Sequence, residues 1–173
     1  ILTDYWGYDD FRDLEIYINP SSKSTETVGI SQAQIINDIV EQTSHAFDGK
    51  YYRDIFITST TGSGKSIMFQ LPALFIQEKY KELNPLTIII SPLIALMNDQ
   101  VDSLRSKNID SARTIHSNIA PHERETILNE VAEGSCKMLY LSPETLQART
   151  DIRTLIGDRI LGLIIVDEAH IVS

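Results

Sequence analysis

The chain predicts an α/β domain of three layers, helix, sheet and helix, around a mostly parallel sheet. Three observations carry this. Short, continuously apolar runs, such as residues 86–90 and 160–166, read as strands buried on both faces. Segments with helical apolar spacing separate these runs. A glycine-rich turn, residues 59–66, stands directly behind one apolar run and ahead of a helical segment.

The elements follow in order. Residues 1–30 form an acidic segment without a regular pattern, and Asn19-Pro20-Ser21-Ser22 within it has turn chemistry. Ser31 is a plausible N-cap for a helix to about Ala46, with Ile35, Ile36, Ile39 and Val40 as its apolar stripe. Asp48-Gly49 ends it. A strand is expected over 54–58, then the glycine-rich turn and a helix over 65–82. A β-branched run predicts a strand over 86–90, and Pro92 opens a helix to about Lys107. A short strand over 112–115, a helix over 121–133 and a strand over 137–141 come next. One or two short helices over 143–156 lead to the last strand, 160–166. Residues 31–173 are thus expected to form one nucleotide-binding domain behind the acidic segment.

Composition bounds the function. The apolar fraction is 42% and the charged fraction 23%, as in ordinary soluble domains. No apolar run approaches the roughly 18 residues of a membrane helix, so no membrane partner is expected. One cysteine, Cys136, excludes an internal disulfide and a cysteine-rich zinc site and suits an intracellular setting, nucleoid or nuclear. A chain that starts at Ile1 reads as a piece or a processed form. The net charge is −9, and residues 1–50 hold nine acids against three bases. Such a chain offers no basic patch, so any nucleic-acid contact must come from backbone amides and local geometry.

Two motifs carry chemistry. In Ser59-Thr60-Thr61-Gly62-Ser63-Gly64-Lys65-Ser66 the amides of Thr61, Gly62, Ser63 and Gly64 can surround a polyphosphate. Lys65 would reach the β- and γ-phosphates of ATP, and Ser66 would ligate Mg2+. Ser59 stands where the usual pattern has its first glycine. Val166-Asp167-Glu168-Ala169-His170 places two acids at a strand end. Asp167 suits the magnesium, Glu168 suits the attacking water, and His170 suits a relay role. A third segment, residues 91–101, is a strand end followed by an amphipathic helix whose first amides could hold a nucleic-acid phosphate.

These motifs together resemble the first, RecA-like motor domain of superfamily 2 helicases, and among them the RecQ-like DNA helicases. The loop continues into Phe69-Gln70-Leu71-Pro72-Ala73-Leu74, similar to motif I of that family with its Q-L-P-A-L extension. Residues 91–101 resemble motif Ia in its RecQ form, Leu139-Tyr140-Leu141-Ser142-Pro143-Glu144 the L-Y-x-x-P-E segment, and residues 166–173 motif II. The resemblance covers about residues 54–173. Trp6-Gly7-Tyr8-Asp9-Asp10-Phe11-Arg12 is similar to the first half of the family's motif 0, but Glu15 occupies the position of its glutamine, and a glutamine followed by a helix comes only at Gln32. An insertion within residues 13–31 would split the motif. The resemblance implies that Tyr8 and Arg12 sandwich adenine and that Gln32, or Gln34, bonds its edge. It also implies that Ser91-Pro92, Ser117-Asn118 and Ser142-Pro143-Glu144 lie where one DNA strand's phosphates run.

The implied activity is that of an ATP-dependent 3′–5′ DNA helicase or translocase working with a second RecA-like domain. In the family that second domain supplies an arginine finger, so this chain alone is expected to hydrolyse ATP very slowly and to unwind nothing. An RNA helicase is one alternative. A nucleotide-dependent scaffold or switch, with protein partners in a repair or defence complex, is another.

Overall fold

The structure is a computed structural model that describes residues 1–19, 24–58, 62–147 and 152–168. It comprises two compact units, Ile1–Phe75 and Ile76–Ser173, each with its own apolar core. The division falls within a helix, whereas near residue 30 a strand runs straight into the next helix.

The first unit opens with one π-helical turn, Leu2–Trp6, closed by Gly7 in the left-handed region (φ 67°). An antiparallel hairpin follows: β1 (Asp13–Tyr17) pairs with β2 (Thr27–Ser31), from Asp13 opposite Ser31 to Tyr17 opposite Thr27. The alternation in β1 turns Leu14 inward while Asp13 and Glu15 stay exposed. β2 continues without a break into α1 (Gln32–Phe47). Leu14 packs with Ile35 and Ile36 of α1 and with Ile67, Met68 and Leu71 of α2 (Lys65–Lys79).

The strand expected over 54–58 is not formed. Strand propensity without a neighbouring ladder leaves backbone groups to water or side chains. Arg53, just before it, is tied to α1 instead: its amide donates to Gln42 Oε1 at 3.1 Å, and its guanidinium donates to both carboxylate oxygens of Asp38 at 2.8 and 2.7 Å. Phe56 is 78% exposed.

The second unit follows the predicted alternation closely. Its elements are β3 (Leu86–Ile90), α3 (Ile94–Ser106), β4 (Ala112–Ile115), α4 (Pro121–Glu133), β5 (Met138–Leu141), α5 (Pro143–Gln147), α6 (Ile152–Ile156) and β6 (Leu161–Val166). The four strands form one parallel sheet in the order β4-β5-β3-β6. Successive residues Ile88 and Ile89 are both fully buried, so both faces of the sheet are covered. One face packs Leu86, Ile88, Leu139 and Leu141 on Ile127 and Val131 of α4 and on Leu155 and Ile156 of α6. Burying each such side chain stabilises by about 1.5–3 kcal/mol. β6 pairs only with β3 among the described residues, and Ile164 and Val166 stay about half exposed.

Arg159, in the turn before β6, closes the opposite end of the sheet from the strand tips. It donates to the carbonyls of Asn84 (2.8 and 3.0 Å), Val131 (2.7 Å) and Cys136 (3.1 Å). Beside it the Cys136 thiol is 1% exposed, and burial pushes it up from its ordinary value of 9.0 to about 12. An unfolded chain releases this proton near 9 while the folded chain keeps it. Stability is therefore present below pH 9 and falls as pH rises from 9 toward 12. Urea titrations of the wild type against Cys136→Ala should show the extra alkaline loss only in the wild type.

Candidate nucleotide site

In the first unit the site is assembled around Gln32. The Ser31 hydroxyl caps α1, accepting from the Ala33 amide at 3.2 Å, which places Gln32 in the first helical turn. Gln32 is 4% exposed, and its backbone amide and both ends of its side-chain amide are hydrogen-bonded. Its backbone amide donates to the Arg12 carbonyl at 2.8 Å. Its side-chain Oε1 accepts from the Arg12 amide at 3.2 Å, and its Nε2 donates to the Ser63 carbonyl at 3.1 Å. The hairpin base thus brings Arg12 and Gln32 together across 20 residues of sequence. Gln34 is exposed one step along α1.

The phosphate loop has the backbone a polyphosphate cradle needs. Gly62 (φ 79°) and Gly64 (φ 82°) both sit in the left-handed region. A Cβ at Gly64 would stand 2.6 Å from Gln32 Nε2, so a larger residue there, besides being strained at that φ, would displace the Gln32 amide from Ser63. Lys65 and Ser66 open α2, a helix of 15 residues with no acid in its first turn, and the helix dipole is unopposed at that end. Thr61, with Ser59 and Thr60, lies outside the described residues.

The Arg12 guanidinium carbon lies 5.9 Å from the centroid of the Tyr8 ring, and Tyr8 is 49% exposed. The two groups face each other as a cation–π pair and form an aromatic platform at the surface. An open cleft of about 310 Å³ is lined by Arg12, Asp13, Leu14, Glu15 and Ser63. Three of these belong to β1, which composition alone did not single out. The legible signal was Glu15 at the spacing where the resemblance called for a side-chain amide.

In the second unit the parallel order puts the strand tips on one edge, where ligands of such sheets gather. The ladder runs on past the strands: Ser91 donates to Leu141, Ser142 to Ile115 and Asp167 to Ile90, through backbone amides at 3.0, 3.3 and 2.9 Å. Glu168 has φ 51°, a left-handed conformation that costs a non-glycine residue about 1 kcal/mol or more, and its amide donates to Asp167 Oδ1 at 3.0 Å. Both acids are half-buried. His170 lies outside the described residues.

The residues expected to face a nucleic acid divide. Ser91 and Ser142 are each 1% exposed, and the Ser142 hydroxyl is hydrogen-bonded to Thr145 Oγ1 at 2.9 Å, so both hydroxyls are enclosed within the unit. Ser117, Asn118 and Glu144 are exposed, and Pro92 and Pro143 are half-buried. The first residues of α3 have no side-chain cap, which leaves their amides available.

A nucleotide and Mg2+ fit these donor sets in kind. Two left-handed glycines shape the loop, and at Gly64 a Cβ would run into Gln32 Nε2. Ser66 in the first unit and Asp167 in the second each carry a hard oxygen of the kind Mg2+ takes, and Mg2+ needs only one or two protein ligands when phosphates complete its shell. Among the described residues no group of three His, Cys, Asp or Glu could hold a metal without such help.

Fold and motif together define a phosphate-loop nucleotide-binding domain of the RecA-like α/β type. The model of the DEAD/DEAH box helicase family matches residues 30–173, and the chain belongs to that family. It is 36% identical over 166 residues to the ATP-dependent DNA helicase RecQ of Synechocystis, spanning 95% of this chain and 27% of that protein. It is 43% identical to RecQ of Bacillus subtilis over 65% of this chain and 18% of that protein. To the ATP-dependent helicase SGS1 of Saccharomyces cerevisiae it is 40% identical over 70% of this chain and 8% of that protein. The chain thus spans less than a third of the length of these relatives.

Proposed function

We propose that this chain is the ATP-binding motor domain of a RecQ-like, ATP-dependent 3′–5′ DNA helicase or translocase. The observation that carries the reading is the pair of left-handed glycines leading into Lys65, Ser66 and a 15-residue helix with no acid in its first turn, supported by the RecQ relatives. Lys65 and the loop amides of residues 61–64 bind and orient the β- and γ-phosphates. Ser66 and Asp167 are the residues that would hold Mg2+, and the ion would supply charge neutralisation at the phosphoryl oxygens. Glu168 accepts the proton of the attacking water, and His170 relays between the nucleotide and nucleic-acid sites.

Tyr8 and Arg12 stack on the base, with Gln32 positioned beside them. Exposed Asn118 and the amides around Pro92 and Pro143 hold DNA phosphates, which lets an acidic chain bind DNA through backbone donors. A second RecA-like domain of the same protein completes the cycle.

The decisive measurement is ATP turnover by the full protein with single-stranded DNA or RNA added. DNA should stimulate it more strongly than RNA, and Lys65→Ala should lower it at least about a hundredfold. Equal stimulation by RNA, or full turnover in Lys65→Ala, would sink the reading.

A further inference from the structure

The cleft beside the phosphate loop is walled on one side by β1 of the hairpin, which brings two carboxylates, Asp13 and Glu15, to its lining. Arg12, Asp13, Leu14, Glu15 and Ser63 line it. The amide that the resemblance would assign to base reading is already engaged. Gln32 Oε1 accepts from the Arg12 amide and Nε2 donates to Ser63, with Gln32 4% exposed. Glu15 is different. It is exposed, it stands opposite Gly29 across the hairpin, and its Oε1 lies only 3.7 Å from where a Cβ of Gly29 would be. The bare glycine gives that carboxylate room. Asp13, two pairs nearer the base of the hairpin with a shorter side chain, stands opposite Ser31.

We propose that Glu15 is a specificity-determining residue, its carboxylate reading the 6-position of the purine while Gln32 serves as a positioning residue for Arg12 and the loop. The proposal rests on the nucleotide-site reading above. An ionised carboxylate only accepts hydrogen bonds. Adenine offers it the N6 amino donor, whereas hypoxanthine and guanine present O6, an acceptor, at the same place. Two acceptors facing each other repel, so the site selects adenine by refusing the 6-oxo bases. This differs from selection by a glutamine, whose amide can turn either end toward the base. The hairpin is then part of the pocket wall and more than a decoration of the loop.

Equilibrium binding of ATP, ITP and 2′-deoxy-ATP to the full protein, competed against a fluorescent ATP analogue, tests this without requiring turnover. The wild type should favour ATP over ITP about tenfold. Glu15→Gln should bring the ratio to within about twofold of unity, because a side-chain amide accepts from N6 or donates to O6. Asp13→Asn should keep the wild-type ratio. An unchanged unfolding midpoint in Glu15→Gln, expected for an exposed position, excludes a folding defect. Equal wild-type affinity for ATP and ITP, or an unchanged ratio in Glu15→Gln, overturns the proposal. So does a Glu15→Gln effect confined to the ATP to 2′-deoxy-ATP ratio, which would assign the carboxylate to the sugar. Lys65→Ala separates the two levels: if it leaves the binding of every nucleotide intact, the nucleotide-site reading itself fails, and the base-reading proposal with it.

Discussion

Glu168→Gln is expected to lower the turnover number of ATP hydrolysis by about 10²–10⁴-fold while leaving nucleotide affinity nearly unchanged. Glutamine keeps the size and the hydrogen-bonding reach of the side chain but cannot take a proton. Binding by Lys65 and the loop amides is untouched by the change. Single-turnover hydrolysis and equilibrium binding measured on the same preparation give the two numbers. A parallel loss of affinity and turnover would show that Glu168 supports binding and not the water. The backbone adds a second, independent readout. Glu168 is held at φ 51°, where glycine is at ease and glutamate is strained. Glu168→Gly should therefore cost no stability, and even add up to about 1 kcal/mol, while hydrolysis is lost. A side chain kept at a strained position against its stability is what a chemical role demands.

The largest effect on stability is expected at Arg159. Arg159→Leu should destabilise the folded chain by about 3 kcal/mol or more, because it strands three buried or half-buried carbonyls whose lost partners cost roughly 1–3 kcal/mol each. These carbonyls belong to Asn84, Val131 and Cys136, and they tie the turn before β3, the end of α4 and the lead into β5 to one guanidinium. Arg159→Lys should rescue little, since a single ammonium lacks the planar fork that reaches all three. Denaturant unfolding followed by circular dichroism measures this. Arg159 acts at the end of the sheet away from the strand tips. Nucleotide affinity of whatever fraction stays folded at low temperature should match the wild type, and a proportionate loss of affinity would contradict a purely structural role.

The second unit was legible in the sequence because its strands are short, nearly continuous apolar runs, Leu86–Ile90 broken only by the buried Thr87 and Leu161–Val166 without a polar side chain, and helices alternate with them. The glycine-rich loop and the acidic pair stand out in the sequence for a related reason: the proposed ligand would fix the spacing of such residues. The hairpin was missed because β1 and β2 are five residues each, one of them interrupted by Gly29, with a polar stretch between. A register of that kind is fixed by long-range pairing, which no local pattern contains. The enclosed hydroxyls of Ser91 and Ser142 were hidden for the opposite reason. A serine at a strand tip reads as exposed, yet here the ladder extends one residue further and draws each amide, with its side chain, inside. Residues 54–58 have the strand composition but find no ladder, which shows that β-propensity is a statement about available neighbours.

The open side of β6 has a practical consequence. It is a six-residue strand, Leu-Gly-Leu-Ile-Ile-Val, without a charge or a proline, and its outer backbone groups are unpaired among the described residues. Natural edge strands discourage docking with lysines, prolines or bulges; this strand carries neither lysine nor proline, and its register shift at Gly162 lies at its start, ahead of the regular run from Leu163 to Val166. The polypeptide handled by itself is therefore a candidate for cross-β association. Its shelf life in concentrated solution should depend steeply on protein concentration, and a lysine at half-exposed Ile164 should lengthen it.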